Sequence, residues 1–274
     1  MLYGYKNSTG GVSINSVTAF CDGLGNCDPL SLMSFEDVLL KCESLVRCEF
    51  SPASQAINNV RGNWYEWLFT IGFISFFKKN INLKPRFLLP LPNVKGFDVY
   101  QLYVPEVYKF IVDLRKKTED RGVSLVSSNP DYAILEYDES FILPQISIID
   151  SNLINVVDNT FKYFIGRCNF DQVYGFASVK TSLRPDRRLQ LAHEGALSKA
   201  FYEHLKGRMW EINARGLKYY GCSMEAGSAD HSALRTVATH SILSVNSKPE
   251  PAVDALFRVS NGKELNSFLS TILL

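Results

Sequence analysis

The sequence predicts an α/β fold, a central mixed β-sheet flanked by helices and preceded by a helical N-terminal portion. Three observations predict it. Apolar residues recur at three- and four-residue spacing through the first third. Short β-branched and aromatic runs follow beyond residue 123. A long helical pattern then separates the third of those runs from the fourth. With 274 residues, 46% hydrophobic and 21% charged, the chain can bury the core such a fold needs. No repeat, low-complexity tract or long Pro/Gly/Ser linker divides it, so one domain is expected over residues 1–274. Its helical portion covers about 1–80 and its sheet-bearing core about 81–274.

The segments LMSFEDVLLKCESLV and WYEWLFTIGFISFF predict helices near residues 31–47 and 60–79. The second includes an apolar run from Trp67 to Phe77 that is too short for a span of about 20 residues and ends in Lys78-Lys79, so it reads as a buried helix. Trp64, Tyr65 and Trp67 read as packing groups of that helix. Pro85, Pro90 and Pro92 punctuate the chain before PEVYKFIVDLRKKTED. That segment is a helix opened by Pro105, striped by Val107, Phe110, Ile111 and Leu114, and closed before Gly122. Strand-like runs follow: VSLVS, YAILEY after Pro130-Asp131, YGFASVKTSL from Tyr174, LKYYGCSM and ALRTVATHSILSV. Between the third and fourth, RRLQLAHEGALSKAFYEHLKGRMW predicts a long helix packed on the sheet through Leu189, Ala192, Ala196, Ala200 and Leu205.

A formal net charge of +1 gives no global attraction to nucleic acid, so any such site must be a local concentration of Lys and Arg. The six cysteines form no CxxC pair, and the Cys21/Cys27 and Cys42/Cys48 spacings do not suit a zinc knuckle. The opening residues have neither a charged nor an apolar leader region, and a cytoplasmic protein with free thiols is expected.

Asp131 heads a short apolar strand, and Ser178 and Lys180 share one face of another by the period of two. Glu194 follows on the long helix, near enough in sequence to fold back beside the strand ends. Two carboxylates and an ammonium are what phosphodiester hydrolysis needs: hard oxygen ligands hold Mg²⁺, and the ammonium orients a water or balances charge. Spacing alone equally allows a turn-initiating Asp131, a solvated Lys180 and a surface Glu194.

The segment SVKTSLRPDRRLQLAHEG, with SNPDYAIL, GNWYEWL, LKYYGCS and TVATHSI, resembles the type II restriction endonucleases of the PD-(D/E)XK superfamily. Within them the likeness is to the CCGG-cutting, NgoMIV-like group, and more closely to the enzymes that recognise RCCGGY. The resemblance implies a restriction-endonuclease-like core. It assigns Asp131 to the metal-binding position of the PD element, Lys180 to the lysine, and Glu194 to a glutamate displaced onto the helix, because Ser178 stands where the second acid would be. Glu66 matches a further acid of the site, with a helix-surface or capping role as its alternative, and the carbonyl of Val179 a further metal ligand. By the same resemblance Arg184, Asp186 and Arg187 enter the major groove, with Ser178 and Arg188 also placed among the DNA-contacting residues. The chemistry agrees: an Arg fork suits guanine O6 and N7, and a carboxylate accepts from cytosine N4. Arg188 is left open between capping, pairing with an acid and touching phosphate. His193 reads as structural.

The expected function is therefore Mg²⁺-dependent double-strand cleavage of DNA at a CCGG-centred palindrome, R/CCGGY, leaving 5′ overhangs. The expected assembly is a homodimer at minimum and preferably a homotetramer. A cognate DNA methyltransferase is expected in the same system. The alternatives are a catalytically inactive DNA-binding regulator and a structure-specific repair nuclease.

Overall fold

In the computed structural model the described residues are 2–8, 11–80, 86–94, 96–125, 127, 129–136, 148–211, 213–243 and 248–274. The N-terminal portion opens with a feature periodicity does not predict, an antiparallel pair of short strands, β1 (Gly4–Lys6) and β2 (Val12–Ile14). Three helices follow, α1 (Ser16–Leu24), α2 (Phe35–Glu49) and α3 (Ser54–Lys79). Side-chain oxygens start the first two: Asn15 accepts from the Thr18 N–H and Ser34 from the Asp37 N–H. Ser34 sets the start of α2 later than expected, whereas α3 begins earlier, because its first turns bury only Ile57 and carry little apolar signal. The apolar run of α3 is buried as expected, and among the described residues no helix is long and apolar enough to cross a membrane.

Next come β3 (Arg86–Pro90), α4 (Pro105–Glu119), β4 (Tyr132–Glu136), α5 (Ser151–Asn159), β5 (Val173–Lys180), α6 (Pro185–Met209), β6 (Lys218–Ser223), α7 (Ser228–Leu234), β7 (Ala255–Arg258) and α8 (Gly262–Leu273). The sheet order is β3-β4-β5-β6-β7. β3, β4 and β5 pair antiparallel and β5, β6 and β7 parallel, so the sheet is mixed, as expected.

Two expected strands are not strands. Of VSLVS, Val123, Ser124, Leu125 and Ser127 lie in no strand, and Val126 is outside the described residues. The edge beside β4 is taken instead by RFLLP, which prolines on either side had disguised. The segment ALRTVATHSILSV begins inside α7, makes one isolated bridge at Val237 and turns through a short 3-10 helix at Thr239–Ile242. Its Ser244 and Val245 lie outside the described residues. The parallel edge is completed by the four residues of β7.

The strands alternate between two helical layers. Tyr132 stacks on Phe69 of α3, and Tyr220 reaches Phe257, which packs on Phe268 of α8. The odd partner in the next register, Tyr219, meets α6 instead. α3 and α8 thus cover one face and α6 the other, and acidic residues reach the strand ends from both sides. The buried residues of α6 are Leu191, Glu194, Gly195, Ser198, Lys199, Phe201, Tyr202 and Leu205, offset from the expected stripe; Leu189 is 74% exposed. The offset arises because three of the buried positions are polar and periodicity counts only apolar ones.

Candidate active site

Asp131 ends the connection into β4 and Lys180 ends β5, and antiparallel pairing of Tyr132 with Ala177 brings these two ends together. Asp131 Oδ2 accepts hydrogen bonds from Lys180 Nζ at 2.9 Å and from the Val179 N–H at 2.6 Å. Burial pushes the Lys180 ammonium down, but Asp131, aided by Glu194 and Glu66, more than offsets this and holds its proton affinity above the ordinary lysine value. Lys180 is therefore cationic at neutral pH.

Glu194 rises from α6 and is 4% exposed. Its Oε2 accepts from Tyr219 Oη at 2.7 Å and Ser178 Oγ at 3.3 Å, and its Oε1 from Gln190 Nε2 at 2.7 Å. The approach of α6 to the sheet depends on small residues: a Cβ on Gly195 would lie 2.2 Å from the Ala252 carbonyl oxygen. Ser178 is wholly buried, its hydroxyl facing Glu194 and Tyr219. It belongs with the carboxylate cluster rather than on the DNA-contacting surface where it was expected, since no surface of it remains to touch a base.

Glu66 comes from the opposite layer. Tyr132 Oη donates to the Glu66 carbonyl at 2.6 Å and lies 3.0 Å from Thr70 Oγ1, which fixes α3 against the head of β4 beside Asp131. Burial first, then the Asp131 charge, raise the Glu66 carboxyl to about 8, with Lys180 opposing. Trp64 and Tyr65 are fully buried packing groups, as expected, while Trp67 also donates from Nε1 to Asp158 at 3.0 Å. Glu66, Asp131 and Asp158 line one cleft of about 630 Å³, together with Asn63, Asn155 and Lys162. Asp158 carries no signal in the sequence, and Tyr219 and Gln190, although inside LKYYGCS and SVKTSLRPDRRLQLAHEG, do not stand out there, since a tyrosine in a strand and a polar residue on a helix read as packing and surface.

Beyond Lys180 the chain leaves β5 and enters α6 through Arg184-Pro185-Asp186-Arg187. Arg184 and Asp186 are exposed, with 3.7 Å between their charged groups, and Arg187 is half-buried. Pro185 opens the helix where no N–H is needed, so the Arg and Asp side chains stand at its exposed, positively polarised end. Arg188 Nε lies 3.2 Å from Asp230 Oδ1, an ion-pair distance without hydrogen-bond geometry. His193 is exposed while the adjacent Glu194 is buried, so the two point to different sides of α6.

Asp131, Glu194 and Glu66 supply the hard oxygen donors a divalent cation prefers. Among the described residues no three His, Cys, Asp or Glu side chains converge closely enough to hold a metal by themselves. That donor set fits a Mg²⁺-like ion, which takes one or two carboxylates and completes its shell with water and substrate phosphate.

A mixed sheet with a carboxylate and a lysine at adjacent strand ends, a helix carboxylate behind them and an arginine-bearing turn beside them defines a restriction-endonuclease fold. The chain belongs to the Cfr10I/Bse634I restriction endonuclease family, whose model matches residues 42–274. It is 38% identical to the type II restriction enzyme Cfr10I of Citrobacter freundii, over 95% of each chain. The crystal structure of the type IIF restriction endonuclease Bse634I with cognate DNA superposes with a TM-score of 0.87 at 33% identity, covering 99% of this chain and 97% of that one. A second Bse634I structure matches with the same score and identity, covering 98% and 96%. The chain is thus a type II restriction endonuclease, a site-specific deoxyribonuclease.

Proposed function

We propose that this enzyme cleaves both strands of RCCGGY before the first C, leaving 5′ overhangs, with Mg²⁺ as its cofactor. The observation that carries the catalytic part is the Lys180–Asp131 contact at 2.9 Å, set between Glu194 on one face of the sheet and Glu66 on the other. In this reading Asp131, Glu194, Glu66 and the Val179 carbonyl would hold the cation, and a cation bound there would supply positive charge for the scissile phosphate. Lys180, cationic at neutral pH, orients the attacking water and keeps it in line with the phosphate. Glu66 must give up its proton before it can join the cation site.

Arg184 and Arg187 take guanine edges and Asp186 the cytosine amino groups, a division supported by their position on the exposed start of α6. Arg188 serves the framework unless it leaves Asp230 for a phosphate. The cognate DNA bound by the related Bse634I structure supports double-stranded DNA as the partner. A palindrome calls for two-fold symmetry, hence a homodimer at minimum. Pairing of dimers into a homotetramer is the preferred assembly, carried over from the enzymes this chain resembles. The enzyme works as one domain over residues 1–274, in the cytoplasm, alongside a methyltransferase that protects its sites.

The test is digestion of a fully sequenced plasmid in Mg²⁺ followed by sequencing of the fragment ends. Ends confined to RCCGGY and opened before the first C support the proposal. Ends at other CCGG contexts revise the outer bases, and random ends refute sequence-specific cutting by these residues. Sedimentation analysis of the active enzyme checks the assembly, and a fully active monomer contradicts it.

A further inference from the structure

The helix carboxylate of this site is held by two groups whose role the sequence does not reveal. Glu194 Oε2 receives Tyr219 Oη at 2.7 Å, with Ser178 Oγ more distant at 3.3 Å, and Oε1 receives Gln190 Nε2 at 2.7 Å, so a short hydrogen bond reaches each oxygen. Tyr219 comes from β6, the strand next to Lys180, where Phe176 pairs with Tyr219 and Ser178 with Gly221. Tyr219 and Ser178 therefore project from neighbouring strands onto the same face, and their hydroxyls lie 2.9 Å apart. Tyr219 is wholly buried and has only two side-chain torsions, so its hydroxyl has a single position to offer. Gln190 stands one helical turn before Glu194 and closes the other side.

An acid rooted in the strand beside Lys180 would be placed by the backbone itself. Glu194 is not: it reaches the site from a helix, through a flexible side chain with three torsions. Its position must be fixed by its hydrogen-bond partners, which a buried polar group needs in any case. We propose that Tyr219 and Gln190 are positioning residues that clamp the Glu194 carboxylate, one on each oxygen, in the place from which it serves the cation. This rests on the reading of Glu194 as a cation-holding carboxylate.

The clamp acts on cation affinity and not on DNA recognition, which separates it from a merely structural role. Calorimetric titration of Ca²⁺ into the full-length protein bound to an RCCGGY duplex reads the affinity directly, for wild type and for Tyr219→Phe, Gln190→Ala and Glu194→Gln. Tyr219→Phe keeps the ring and loses only the hydroxyl; Gln190 is exposed, so Gln190→Ala keeps the fold and decides the matter if the tyrosine variant does not fold. Both clamp variants are expected to weaken Ca²⁺ by roughly tenfold or more, in line with loss of groups that orient metal ligands. In cleavage assays they should raise the Mg²⁺ concentration for half-maximal rate and regain much of the rate at saturation, with duplex affinity in EDTA unchanged. Wild-type Ca²⁺ affinity in both clamp variants, with Glu194→Gln strongly weakened, overturns the clamp and leaves the role of Glu194 standing. Wild-type affinity in Glu194→Gln overturns both.

Discussion

Asp131 Oδ2 takes hydrogen bonds from two consecutive residues of one strand, the Val179 N–H at 2.6 Å and Lys180 Nζ at 2.9 Å. The backbone bond fixes the carboxylate against β5 whatever the lysine does, and the lysine adds charge without being the sole anchor. Chemistry and architecture are therefore separable at this position, and substitutions at Lys180 should disturb the first far more than the second.

Glu66 makes stability pH-dependent in the metal-free protein. Its folded value is raised from 4.5 to about 8, so the folded chain binds more protons than the unfolded chain between those limits. The contribution is fully present below 4.5 and lost as pH rises through 8. Glu66→Gln removes this loss, so in urea unfolding with EDTA the variant should gain on wild type by roughly 2 to 4 kcal/mol between about pH 5 and about pH 8.5. Parallel pH profiles for the two proteins contradict the assignment.

Two glycines of α6 should respond in opposite directions to alanine. At Gly195 a Cβ meets the Ala252 carbonyl oxygen at 2.2 Å, a backbone atom that cannot move aside cheaply. Gly195→Ala should cost about 1 to 3 kcal/mol through overpacking, and it should weaken cation binding by lifting Glu194 from Tyr219. At Gly207 nothing lies within 4 Å, and Gly207→Ala should gain about 0.5 to 1 kcal/mol from helix propensity. Chemical denaturation of both variants checks the pair; equal effects contradict the tight seating of α6.

The exposed turn into α6 should govern specificity and leave catalysis intact. Arg184→Ala and Arg187→Ala should each weaken binding to an RCCGGY duplex by about 1 to 3 kcal/mol, with a smaller loss on unrelated DNA. Asp186→Asn should relax discrimination at cytosine positions with little loss of total affinity, because the amide keeps size and loses one acceptor site. Competition binding on duplexes substituted one base pair at a time checks both. A uniform loss across all sequences would assign these residues to phosphate contact.

How much of this was legible in the sequence follows from where each residue sits. Asp131 and Lys180 head and end strong apolar strands, and the alternation of β5 announces that Ser178 and Lys180 share a face. Spacing made Glu194 a candidate and the family resemblance gave it a role, but its burial was not legible, because the buried face of α6 carries Glu194, Ser198 and Lys199, and apolar periodicity points to a neighbouring stripe. Lys199 is buried because Asp254 pairs with it at 2.8 Å, a long-range compensation that local spacing cannot announce. β3 and β7 were missed because they have five and four residues and take their stability from neighbours in the sheet. The Thr and Val residues of ALRTVATHSILSV suggested a strand, yet Asp230 accepts from the Gly227 N–H and pairs with Arg188, fixing α7 just before them. Tyr219 and Gln190 were invisible because their role exists only once α6 lies on β6.

The most direct test of the catalytic site compares Lys180→Ala with wild type on one end-labelled RCCGGY duplex, measuring cleavage in Mg²⁺ and binding in Ca²⁺. Cleavage should fall by at least about 100-fold, the scale of losing a group that positions the attacking water, while binding stays close to wild type because the Val179 N–H still holds Asp131. Cleavage by Lys180→Ala at the wild-type rate would contradict the placement of the active site at Asp131, Lys180 and Glu194.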